Sequence, residues 1–203
     1  MELRRRVARE AAFLLYQGVV EEYKQAKEMA SETLRIRSLP SNLEIASELD
    51  EIAEELEGAE RWGRLLEMRR TALELMEHLN DLHPRLIGSV WRGTVNRSSD
   101  IDIVVYNRDK REVVERLKNL GIEVGKEKTS LIVKSGASKT SKHLHLRTTS
   151  GYEAEIVVRP PEEEGKVEFC DIYGDQKTGL GTAQLRKVLK EDPLRRFVPL
   201  RRR

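Results

Sequence analysis

The stretch that most constrains this chain is 88–105, GSVWRGTVNRSSDIDIVV, where residue type, spacing and implied backbone shape agree. Its end, Asp100-Ile101-Asp102-Ile103-Val104-Val105, alternates acid and β-branched residue before an apolar run, which predicts a strand with one polar face. Side chains two apart on a strand point the same way, with Cα atoms about 7 Å apart at a rise of ~3.3 Å per residue, so both carboxylates look into one space. Two like charges so placed repel each other and lose solvation, and a cation between them relieves both costs. Mg²⁺ takes carboxylate oxygens while keeping waters and substrate phosphates as its other ligands, and paired ions about 3.5–4 Å apart serve in-line phosphoryl displacement. Upstream, Leu86-Ile87 predicts the end of a strand and Gly88-Ser89 the turn after it. Glycine there lets backbone N–H groups approach an anion, and the serine hydroxyl adds a donor. An anion cradle and a metal clamp thus stand eleven residues apart, counted from Ser89 to Asp100.

With 203 residues the chain has room for one domain or two small ones and for a core of useful size. Charged residues make up 35% and aromatics 5%, yet the net charge is only +2, so bulk charge neither demands nor excludes nucleic acid. Many Glu, Arg and Lys beside few Asn and Gln suit a thermophile. A single cysteine, Cys170, excludes an internal disulfide framework and a Cys-based zinc site, and reads as a small buried hydrophobe. No apolar run reaches the length of a membrane span, and residues 1–9 are not followed by a signal peptide of normal form. The expectation is a cytoplasmic protein without membrane association.

From 4 to about 34 apolar residues recur at three and four, through Val7, Ala11, Leu14, Val19, Tyr23, Ala26 and Ala30, which predicts one long amphipathic helix ended by Leu39-Pro40. Ser41-Asn42-Leu43-Glu44 reads as a capping box opening a second helix to about 57. Gly58 breaks it, and a third helix follows from about 59 to 80 with Trp62, Leu65, Met68 and Leu75 among its apolar positions. The region 1–82 is therefore expected to be all-helical, a packing and oligomerisation unit through which a homo-oligomer would form. His83-Pro84 opens the second region, 83–203, because the residue before proline is pushed out of the α region. There the pattern predicts strands at 85–87 and 99–106 and a helix at 109–119 ended by Gly121. Short strands at 122–126, 130–134, 143–148 and 152–158 follow, then a loop at 174–181 and a helix at 182–190. The fold class expected is α+β, a small mixed β-sheet core with helices, preceded by an all-α N-terminal region. The segment 136–142, rich in Ser, Thr and Lys, reads as a solvated turn, and His143 and His145 as strand residues facing solvent. The basic tail, Arg195, Arg196 and Arg201 to Arg203, either leans on RNA phosphates or is a disordered end.

The run Gly88-Ser89, Arg92-Gly93 and Ser99-Asp100-Ile101-Asp102-Ile103 resembles the signature of the DNA polymerase β-like nucleotidyltransferase superfamily, a glycine-serine pair followed by an acid-x-acid strand. In register and in its Arg-Gly it is most similar to the minimal nucleotidyltransferases of archaea and bacteria, and more distantly to the archaeal type of CCA-adding enzyme. The resemblance spans about 84–160. It implies an enzyme that moves a nucleoside monophosphate from an NTP, ATP foremost, to a hydroxyl acceptor on RNA, protein or a small molecule, releasing pyrophosphate, with Mg²⁺ or Mn²⁺ as cofactor. Asp100 and Asp102 would be catalytic and hold the metal, while Gly88, Ser89, Arg92 and Ser99 would bind the nucleotide. The superfamily carries a third carboxylate on a neighbouring strand, and by position in Ala154-Glu155-Ile156-Val157-Val158 it is Glu155, a glutamate where aspartate is usual, with Glu153 the other candidate on that face. A glutamate reaches one methylene further and still binds a metal or takes a proton. Arg92 stands either beside a phosphate, which guanidinium grips bidentately, or in a structural ion pair; Trp91 reads as a packing residue. The histidines leave a contact with the acceptor open. Two further readings compete, a non-catalytic nucleotide-sensing or partner-binding protein that keeps the cradle, and an antitoxin-type transferase acting on a protein partner.

Overall fold

The computed structural model describes residues 2–134 and 137–199. The single helix expected over 4–34 is two helices, α1 (Glu2–Tyr16) and α2 (Tyr23–Leu34). The apolar period runs through both, but Gly18 takes φ 70°, and the N–H groups of Gly18 and Val19 close on Leu15 O and Leu14 O at 3.1 and 3.0 Å. Those bonds end α1 and turn the chain back, so that α2 packs on it. The helix α3 (Asn42–Glu57) begins at the expected capping box: Glu44 N–H donates to Ser41 Oγ at 3.2 Å, and Ser41 N–H donates to Glu44 Oε2 at 2.7 Å. Gly58, at φ 50°, separates α3 from α4 (Ala59–His78).

Two cores follow from these elements. Val7, Ala11, Ala30, Ile45 and Ile52 pack together among α1, α2 and α3. Leu65, Met68, Ala72 and Met76 of α4 pack instead with Leu86, Ile101, Ile103 and Ile156 of the sheet. The cores part near Gly58, and α4 goes with the sheet rather than with the region 1–82, because helical periodicity shows which face is buried and not what buries it. Two fully buried arginines lie on α4, and Arg61 ties it to α3 and the loop that carries Val95, while Arg69 ties it to Val90, Trp91 and the C-terminal segment. Arg61 donates to Val95 O at 2.7 Å and Asp50 O at 3.2 Å and pairs with Glu54 at 3.0 Å. Arg69 donates to Val90 O, Trp91 O, Pro193 O and Arg195 O at 3.1, 3.0, 2.6 and 2.8 Å.

The strands are β1 (Arg85–Ile87), β2 (Ile101–Tyr106), β3 (Val124–Lys134), β4 (Ala137–Arg147), β5 (Glu153–Arg159) and β6 (Leu180–Gly181), in the order β3-β4-β5-β2-β1-β6. Only β2 and β5 pair in parallel; the other neighbours are antiparallel. Helices α5 (Gly88–Arg92), α6 (Lys110–Asn119) and α7 (Thr182–Glu191) complete a mixed α+β architecture. The two short strands expected over 122–134 are one, its pairing irregular between Val124 and Glu127, so Gly125 bends a strand rather than ending it. The turn expected at 136–142 is strand β4 from 137 onward, and Gly136 lies outside the described residues. At the other end, the segment 193–197 docks on the body: Phe197 N–H donates to Arg92 O at 3.0 Å, and Arg196 pairs with Asp50. Arg201, Arg202 and Arg203 lie outside the described residues.

Candidate active site

The alternation read in 100–105 is what builds the site. In β2 the side chains of Ile101, Ile103 and Val105 are fully buried in the core, which sends Asp102 to the opposite face. On β5 the same alternation buries Ala154, Ile156 and Val158 and turns Glu155 outward, and on β4 it buries Leu144 and Leu146 and turns out His143 and His145. The register then sets Ile87 beside Asp102, Asp102 beside Glu155 and Glu155 beside His145, one row across β1, β2, β5 and β4. Asp100 sits immediately before β2 rather than in it, although a strand is expected from 99.

The turn from β1 into α5 touches this row. Gly88 has φ 69°, and a Cβ there would lie 1.9 Å from Asp102 Oδ2 and 2.9 Å from its Cγ. Only glycine meets both demands, so the backbone of the turn and the Asp102 carboxylate are in direct contact. Burial pushes the Asp102 carboxyl well above the usual carboxylate range, and the charges of Asp100 and Glu155 push it further. Burial raises Asp100 as well, with Glu155 adding to the rise, while its own backbone N–H bond and His145 oppose it. The three acids therefore feel one another through a poorly solvated space.

Hard carboxylate oxygens in mutual repulsion fit a divalent cation, which needs one or two carboxylates when substrate phosphates supply other ligands. Among the described residues no three His, Cys, Asp or Glu side chains already close round a single point. Glu155 is engaged by its neighbours on β4. Its Oε1 is taken by His143 Nδ1 at 2.9 Å, and His145 Nε2 stands 3.4 Å from the same oxygen. With Nδ1 donating to the carboxylate, His143 Nε2 accepts from Ser141 Oγ at 2.9 Å. His143, expected to face solvent, thus holds the third acid, with His145 beside it. A His-x-His segment whose alternation matches that of an acid-bearing strand is the only sequence signal for this, and it does not reveal which strands pair.

Other expected site residues are placed differently. Arg92 is buried, grips Asp175 through both terminal nitrogens at 2.8 and 2.7 Å, donates to Phe197 O at 2.9 Å, and lies between the rings of Trp91 and Tyr173. It takes the structural ion pair of the two alternatives, because its carboxylate partner arrives from 83 residues further along the chain. Ser99 accepts from Asn96 N–H at 2.9 Å and so fixes the loop that delivers Asp100. Trp91 is a packing residue, 4% exposed. Ser89 lines a cavity of ≈ 350 Å³ together with Gly88 and Asp102. Lys177 and Tyr173 open onto the same cavity, and nothing in their sequence surroundings marks them.

Residues 69–169 match the family model of the nucleotidyltransferase domain, from the middle of α4 to beyond β5. Among solved structures, a chain from work on the activity of a cytoplasmic RNA terminal U-transferase aligns at 16% identity and a TM-score of 0.34, over 58% of this chain and 34% of that one. This chain thus spans about a third of the length of that relative. No curated protein matches the chain. The segment that joins the Gly88 turn to Asp100, Asp102 and Glu155 lies wholly inside the family match, so the site residues fall on the part of the chain that is similar to a nucleotidyltransferase domain.

Proposed function

We propose that the protein transfers a nucleoside monophosphate from an NTP, with ATP as first candidate, to a hydroxyl acceptor and releases pyrophosphate. The observation that carries this reading is the contact between the Gly88 turn and Asp102, which sets an anion-approachable backbone against a half-buried pair of acids. Asp100 and Asp102 would hold Mg²⁺ or Mn²⁺, with Glu155 beside them. When bound, the cation neutralises the charge that gathers on the phosphate oxygens during transfer. Gly88 and Ser89 receive the terminal phosphates and fix the triphosphate so that its α-phosphorus faces the acceptor. Glu155, held in place by His143, orients the acceptor hydroxyl and takes its proton as the new oxygen–phosphorus bond forms and the bridge to pyrophosphate breaks. Most of the rate enhancement then comes from positioning and charge stabilisation. A cytoplasmic setting, where NTPs are abundant, suits this reading; RNA, protein and small molecules remain the acceptor classes to be sampled. The test is transfer from α-labelled NTPs into each acceptor pool with Mg²⁺ or Mn²⁺. Wild type should label one pool and Asp100→Asn none, with a loss of at least about 10³-fold; equal labelling by both proteins would remove the enzymatic role of the pair.

A further inference from the structure

The cavity that begins at Gly88, Ser89 and Asp102 does not end at the catalytic row. It runs on between α2 and α3 on one side and the segment 170–177 on the other, and its far walls are Tyr23, Ala46, Leu49, Ile172 and Tyr173. Three of these come from the two N-terminal helices, which lie outside the family match. Its volume of ≈ 350 Å³ falls within the range of about 300–1,000 Å³ found for small-molecule sites.

The chemistry of the far end differs from that of the near end. Two of its charged groups are already matched: Asp50 pairs with Arg61 and Arg196, and Arg92 with Asp175. Asp50 and Arg92, which line the cavity, are thus engaged by partners, while Lys177 on the same wall adds a positive charge that suits the phosphates of a nucleotide. What remains is apolar surface with two phenols, and burial pushes both Tyr23 and Tyr173 upward in pKa, so they stay neutral hydroxyls able to donate and accept. The wall is also preorganised. Arg92 stacks 4.6 Å from the centroid of Tyr173 while holding Asp175 two residues on, which fixes both ends of that short segment. A neutral, flat, heteroatom-bearing ring suits such a space, and the triphosphate that would carry it in is anchored at the other end.

We propose that this cavity is the nucleobase pocket, and that Tyr23 of α2, Leu49 of α3 and Tyr173 determine which NTP the enzyme accepts. The assignment rests on the nucleotidyl-transfer reading above and gives the N-terminal helices a part in substrate selection. Apolar and aromatic contact with one base contributes roughly a tenfold or greater gain in affinity.

The test compares binding of the four NTPs and of inorganic tripolyphosphate to the full chain by calorimetry in the presence of Mg²⁺. One NTP should bind at least about tenfold tighter than tripolyphosphate. Leu49→Trp, which fills the cavity, and Tyr173→Ala should each erase that margin while leaving tripolyphosphate binding unchanged, with thermal melting confirming that both variants fold. Equal binding of all four NTPs and tripolyphosphate by wild type overturns the pocket and leaves the phosphate site standing. Retention of the margin in both variants also overturns it. Failure of wild type to bind any of these triphosphates overturns the pocket and the nucleotidyl reading together.

Discussion

Gly88 is where backbone conformation and chemistry meet most closely. Gly88→Ala would place a methyl group 1.9 Å from Asp102 Oδ2 at a φ that L side chains rarely adopt, so either the turn or the carboxylate must move. The expected outcome is a loss of about 1–3 kcal/mol in urea unfolding and transfer below detection, and near-normal activity would show that the contact is incidental. Asp102 carries the opposite expectation for stability. Its folded pKa lies above an unfolded value of about 3.9, so between the two the native state binds more protons than the unfolded state and stability falls as pH rises. In EDTA, Asp102→Asn should therefore melt above wild type at pH 7.5, by about 2–4 °C for each kcal/mol of repulsion removed, and the gap should close below about pH 3.9. Calorimetry across pH decides it, and a wild type that melts higher at pH 7.5 in EDTA would contradict the repulsion. Both residues were legible because their roles follow from short spacing, alternation in one case and a positive-φ turn in the other. Arg92 and Glu155 were legible only as candidates. Their partners, Asp175 and His143, reach them through the sheet and the fold, and spacing along the chain carries no record of that.

At the scale of elements, what could be read was whatever a local hydrogen bond decides. The box at Ser41 and Glu44 is such a case, and it makes a prediction of its own. Burial tends to raise the Glu44 carboxyl, but hydrogen bonds from Arg4 and from the Ser41 backbone and hydroxyl outweigh it and hold the pKa at about 2. A depressed carboxyl stabilises the fold above its unfolded pKa, and that stabilisation disappears as pH falls through the folded value. Glu44→Gln should cost about 0.5–1 kcal/mol at pH 7, a small figure because the side chain is still more than a third exposed and solvent screens the pair. The difference should shrink below pH 4.5 and vanish near pH 2; a penalty that persists at pH 2 would locate it in packing instead. Elements decided by distant contacts are not legible from local sequence. Gly18 was invisible because the apolar period continues across it, and whether a glycine bends or breaks a helix depends on the partner the turned chain finds. The β6 pairing of Leu180 with Leu86 likewise depends on β1 being in place, so a segment that looks like a loop becomes an edge strand.

The molecule as a whole is held by two unequal cores. The one shared by α4 and the sheet buries large side chains, Leu65, Met68, Ile103 and Ile156 among them. The other, within α1, α2 and α3, has alanine at six of its ten buried positions, Ala8, Ala11, Ala12, Ala26, Ala30 and Ala53. Alanine removes little apolar area from water, so this core contributes less per residue at roughly 25 cal/mol per Å². Ion pairs compensate in part: Arg4–Glu44 at 2.6 Å, Arg9–Glu55 at 2.6 Å, and Glu48 shared by Arg5 and Arg9 at 2.7 and 3.3 Å. Apart from Glu48 these groups are well exposed, and exposed pairs weaken as salt shortens the screening length to about 3 Å at 1 M. The N-terminal helices should accordingly open as a unit before the sheet does. In native-state hydrogen exchange, amides of α1 and α2 should exchange at least about tenfold faster than those of β2 and β5, a gap of more than about 1.4 kcal/mol. Adding 1 M NaCl should widen the gap, whereas uniform protection across both cores would show one cooperative unit. If α2 and α3 wall the nucleobase pocket, saturating NTP should slow exchange in those helices far more than tripolyphosphate does, because only the ligand that bridges both cores resists their separation.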